Sequence, residues 1–134
     1  MYKASISDFL EMRIILSSMV RVSEDTKVRY GINKVLDRIN KNADFTDFLD
    51  RAMDKKMELA KEVDGKIVRD ENNEPEVKSE HRSELREWFK KEGEKLMEVE
   101  PYIVSCESFK EDIFLIEKLN GLVFQVKIEE LLGE

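Results

Sequence analysis

The side chains in this sequence that could carry chemistry are few, and most lie between residues 64 and 84. His81, the single histidine, precedes Glu84 by three residues, so on a helix both would face one side and could begin a transition-metal site. One histidine leaves such a site short of ligands, and the paired Glu-x-x-His units of carboxylate-bridged di-metal bundles do not occur. Asp70, Asn72 and Glu74 suggest a calcium loop, because hard cations collect several oxygens from one tight turn. Counted from Asp70, however, Pro75 falls where that turn needs glycine and His81 where a bidentate glutamate is needed. Asp64-Gly65-Lys66 and Glu76-Val77-Lys78 are acid-x-lysine triplets of the kind metal-dependent nucleases use, but no upstream strand ending in aspartate accompanies them. A metal-dependent enzyme built on Asp64, Asp70, Glu76 and His81 is therefore the weakest of three functional readings, and no metal ligand or catalytic residue is assigned.

Cys106 could act as a nucleophile only beside a base that generates thiolate, and His81 is the one histidine available. A cysteine in the apolar run Tyr102 to Cys106 reads more simply as core. Walker, dinucleotide and nucleophile-elbow motifs are absent, and five glycines leave little material for a phosphate cradle, so no cofactor is expected. A single cysteine also excludes an intramolecular disulfide, which fits a reducing cytoplasm. The N-terminus lacks the pattern of a secretory signal, and no apolar run approaches a bilayer span; the expectation is a cytoplasmic protein without membrane contact.

Charge supplies the one surface feature with a direction. The net charge of -7 opposes general affinity for nucleic acid. Residues 1 to 41 nevertheless carry eight Lys/Arg against five Asp/Glu, a local excess of +3. Lys27, Lys34, Arg38 and Lys41 differ by 7, 11 and 14 positions, which lines them along one side of a helix as a basic ridge. Solubility alone explains most charge runs. The functional alternatives are docking on an acidic protein or contact with phosphates, and the scarcity of aromatic residues within the ridge disfavours base stacking.

The elements that would position these groups are mostly helical. The 134 residues fit one domain, and 41% hydrophobic with 40% charged residues suits helices with broad solvated faces. After an extended start at Met1 to Ala4, Ser5 with Asp8 forms a capping signal for a first helix. That helix is so dense in apolar residues that it is expected to be central and covered on much of its circumference. Ser23, Glu24 and Asp25 open a second helix, in which Val28, Ile32, Val35, Leu36 and Ile39 form an amphipathic stripe. Apolar spacing continues to Val63 and predicts either one helix of about 40 residues, spanning roughly 60 Å, or two helices broken near Asn40-Lys41-Asn42. Both versions end at Asp64-Gly65. Phe45, Phe48 and Leu49 crowd the possible break and are candidates for a self-association surface in a homo-oligomer.

Residues 65 to 78 read as an exposed β-hairpin or flap, with Lys66-Ile67-Val68 and Glu76-Val77-Lys78 as its arms. Ser79 is placed as the cap of a third helix carrying Leu85, Trp88, Phe89, Leu96 and Met97 on one face and ending before Pro101. Ser108 with Glu111 suggests a short further helix stopped by Asn120-Gly121, and residues 122 to 128 stay open between strand and helix.

In this order of elements the chain resembles small proteins of tailed bacteriophages. The likeness lies in layout: the extended start, the basic helix at Lys27 to Lys41 with Lys-Val-Arg-Tyr (27 to 30), the acidic connection at Glu62 to Asp70, the Lys/Glu-rich helix at Ser79 to Met97 and the strand-like Tyr102 to Cys106. What the resemblance implies is an accessory virion protein or a host-directed interaction protein, with no activity and no functional residues attached.

The expected fold is mainly α with a minor β part: a long antiparallel helical hairpin, a β-hairpin flap and a small terminal sheet. The expected function is non-enzymatic interaction with a protein partner through the basic helix face and the flap. A nucleic-acid accessory factor using the same ridge is the alternative.

Overall fold

The computed structural model describes residues 1–22, 26–104 and 121–123. Among them the chain is mainly helical, with β1 (Tyr2–Ser5), α1 (Ile6–Val22), α2 (Thr26–Lys41), α3 (Ala43–Glu58), β2 (Glu62–Val63), β3 (Lys66–Ile67), α4 (Arg82–Gly93) and β4 (Leu96–Val99) in order. No described helix is long and apolar enough to cross a membrane. Ser23 to Asp25, Cys106 and the Ser108 to Asn120 segment lie outside the described residues, as does the stretch beyond Val123.

The start of α1 follows its local signal, since the Asp8 backbone N–H donates to Ser5 Oγ at 3.1 Å. Ile6, Phe9, Met12, Leu16 and Met19 recur every three or four residues and are buried. The remainder of the helix is less enclosed than its composition predicts, because Ile14 is 68% exposed on a different face. On α2 the expected stripe is the buried one: Val28, Ile32, Val35 and Ile39 are fully covered, while Leu36 is half-buried at the margin. Each such side chain contributes about 1.5–3 kcal/mol by leaving water. Gly31 shares this face, and a Cβ placed there would come within 2.5 Å of Val104 Cγ1, so the absent side chain is what lets the 102–104 segment lie against α2.

The helical run breaks at Asn42. Its side-chain Oδ1 accepts from the backbone N–H groups of Asp44 and Phe45, at 2.9 and 3.2 Å, which caps α3 and turns it off the line of α2. At its far end α3 stops at Glu58, six residues before the Asp64-Gly65 position expected from sequence. The reason is a tertiary competitor for the backbone. Lys78 N donates to Leu59 O at 3.1 Å and Lys61 N to Glu76 O at 2.8 Å, so residues after Glu58 pair with an arm of the flap.

Asp64-Gly65 instead forms the tip between β2 and β3. Both residues have positive φ, 53° and 77°, as the mirror-image two-residue hairpin turn requires. The flap is therefore more folded than one hairpin: Ala60 bridges Val77, Glu62–Val63 pairs with Lys66–Ile67, and Arg69 bridges Pro75.

Ser79 opens a 3₁₀ turn, Ser79–His81, and α4 begins only at Arg82. Leu85, Trp88 and Phe89 occupy its half-buried face as expected, but Leu96 and Met97 do not belong to the helix. They lie in β4, which pairs antiparallel with β1 in the register Tyr2↔Val99 to Ser5↔Leu96. The sequence Leu96-Met97-Glu98-Val99 alternates, with Met97 and Val99 buried and Leu96 and Glu98 exposed, so period two overrides the helical reading. The small sheet thus joins the two ends of the described helical body. α3 and α4 run in opposite directions, with Arg51 meeting Glu92 and Lys55 meeting Glu84. Phe48 packs against the rings of Trp88 and Phe89, at 5.6 and 5.8 Å, and those two rings meet each other at 5.3 Å.

Candidate functional site

The four ridge residues separate into two groups once folded. Lys27, Lys34 and Lys41 are exposed, whereas Arg38 is half-buried. Arg38 Nη1 donates to the carbonyl oxygens of Glu100 and Pro101 at 3.2 and 3.1 Å, and its guanidinium lies 5.9 Å from the Tyr102 ring. That side chain fastens α2 to the irregular segment that follows β4. Lys41 pairs with Asp37 at 3.1 Å in an exposed i,i+4 bridge worth about 0.3–0.5 kcal/mol. Lys34 Nζ sits 5.6 Å from the Tyr30 ring.

Beside these lysines the fold opens a cavity of about 580 Å³, lined by Thr26, Lys27, Tyr30, Tyr102, Ile103 and Val104. Tyr30 and Tyr102 meet edge to face at 5.6 Å, and Tyr30 is 53% exposed. Aromatic residues thus do border the ridge. Tyr30 was legible, since it stands three residues after Lys27 and four before Lys34. Tyr102 was not, because 72 residues separate it from its ring partner and only the chain's path brings the two together.

A second concavity, of about 440 Å³, lies between α1 and α2 and is lined by Arg13, Ile14, Ser17, Ser18, Arg21, Leu36 and Asn40. Arg13 places its guanidinium 5.0 Å from the Phe45 ring, and Ser17 Oγ donates to Arg13 O at 2.8 Å.

The self-association candidates have a different fate. Phe45 and Phe48 are fully buried in the chain's own core, and Leu49 is half-buried. Capping by Asn42 rotates the start of α3 so that its apolar stripe faces inward, which leaves neither phenylalanine on a surface.

The acidic groups singled out from sequence are dispersed. Asp70 Oδ1 accepts from the backbone N–H groups of Asn72 and Glu74, so it organises its own turn. Glu76 pairs with Lys61 at 3.1 Å, Asp64 is exposed at the flap tip, and His81 faces Glu84 at 3.4 Å and Glu80 at 3.8 Å. Among the described residues, no three His, Cys, Asp or Glu side chains converge on a point that could hold a metal ion.

The strongest electrostatic perturbation lies elsewhere, at the α3–α4 contact. Hydrogen bonds from Arg51 and Lys95 hold the Glu92 carboxyl down at about 2, against an ordinary 4.5. The same bond raises Arg51, which also pairs with Asp47 at 2.9 Å and lies 6.0 Å from the Trp88 ring. The Glu92 side chain is 14% exposed and pairs with both Arg51 and Lys95, so this network fastens α4 to α3. No protein family, curated protein or solved structure matches this chain.

Proposed function

We propose that the chain is a non-enzymatic interaction protein that docks an acidic protein partner on the lysine-bearing side of α2, with the flap as an auxiliary contact. The observation that carries this reading is the adjacency of exposed Lys27 and Lys34 to a cavity walled by Tyr30, Tyr102 and Ile103. An aromatic seat beside a charged rim is the anatomy of a protein interface, in which the seat anchors a side chain and the rim sets encounter rate and register. Val63, 61% exposed near the Asp64-Gly65 tip, supports a contact at the flap. The resemblance in sequence layout to small proteins of tailed bacteriophages favours the same role, an accessory protein acting on a virion or host component.

The test is capture of a partner from the native host by the unaltered chain and by a Lys34→Glu, Lys41→Glu variant. Arg38 is left intact because it holds the 100–102 segment. Loss of the partner with the variant is the expected result, and undiminished capture removes the ridge from the mechanism. Binding to oligonucleotides that weakens steeply with salt would instead favour the nucleic-acid alternative.

A further inference from the structure

We infer that the groove between α1 and α2 is a second docking surface, and that it takes an acidic amphipathic helix of a partner protein. It lies on the other flank of α2 from Lys34, because Leu36 and Asn40 turn away from the ridge at 100° per residue. Three features select the occupant.

The first is charge. Arg13 and Arg21 line the groove, and no acidic side chain does so among the described residues, although the chain as a whole carries -7. The two arginines stand eight residues apart on α1, about 12 Å along the axis, so they match two carboxylates spaced two turns apart on an opposing helix. The second is exposed apolar area in the lining. Ile14 is 68% exposed, unlike the buried residues of α1, and Leu36 on α2 lines the same groove while only half-buried. An amphipathic helix would cover both with leucine-like side chains, the arrangement by which helices seat in grooves. The third is the wall. Asn40 is exposed and offers an amide donor and acceptor, but among the described residues no aromatic ring lines the groove, so they give stacked bases no platform.

The proposal is tested with a fluorescein-labelled synthetic helix that carries two leucines four residues apart and flanking glutamates eight residues apart, titrated against the full chain by fluorescence anisotropy. The expected result is saturable one-to-one binding that weakens about tenfold in Arg21→Glu and in Ile14→Asp but stays within about twofold in Lys34→Glu. Arg21 and Ile14 are both exposed, and an unchanged melting temperature verifies that each variant folds. Arg21→Gln provides the milder replacement where the reversal lowers that temperature. Equal affinity for a scrambled peptide of the same composition, or unchanged binding in Arg21→Glu and Ile14→Asp, overturns the proposal. Displacement of the peptide by a DNA or RNA oligonucleotide in an Arg21-dependent manner also overturns it, in favour of nucleic acid. Because Lys34→Glu acts on the ridge alone, failure of this groove and failure of the ridge are separately visible.

Discussion

The side-chain amide of Asn42 donates from Nδ2 to the carbonyl oxygen of Glu98 at 2.9 Å while its Oδ1 caps α3. One residue thereby fixes both the angle between α2 and α3 and the attachment of β4 to them. Arg38, one turn earlier, does the same for the carbonyls of Glu100 and Pro101. Together they satisfy the Glu98 carbonyl of β4, the strand that pairs with β1, and the two carbonyls that follow the strand.

Replacing Asn42 with Ala removes both functions, and a loss of about 1–2 kcal/mol in urea unfolding is expected. Asn42→Ser restores a capping oxygen but cannot reach Glu98, so it recovers only part of that loss. Equal stability of all three proteins would show that the Asn42 bonds carry no weight.

Gly31→Ala should destabilise by about 1–3 kcal/mol, through overpacking against Val104 and Tyr102. Helix propensity alone argues the opposite, because Ala is favoured over Gly by about 1 kcal/mol within a helix. The sign of the change in melting temperature therefore decides whether residues 102–104 lie on α2 as described.

Glu92 gives a pH signature. Its carboxyl sits at about 2 in the folded chain against an ordinary 4.5, so the charged form is preferred by the fold. Its contribution is fully present above 4.5 and drains away as pH falls from there toward 2. Glu92→Gln should flatten the decline in melting temperature across that window and leave the slope near neutrality unaltered. An acid profile identical to that of the unaltered chain would remove the Arg51–Glu92–Lys95 network from the stability of the α3–α4 contact.

Local information in the sequence specified the predominance of helix, the Ser5 cap, the buried stripe Val28, Ile32, Val35 and Ile39, and a flap between the second and third helical stretches. Each depends on side chains within one or two turns of one another, where spacing and capping chemistry act directly. Tertiary structure decided the rest. It ended α3 at Glu58, because strand partners from 76–78 compete for the backbone. It made Leu96–Val99 a strand, because β1 lies alongside, and it removed Arg38 from the ridge by offering carbonyls 62 and 63 residues away. It turned Phe45 and Phe48 inward, and it left Ile14 in an open groove where composition had suggested enclosure. Pairing and burial are set by neighbours distant along the chain, and no periodicity within a single helix records where those neighbours come to rest.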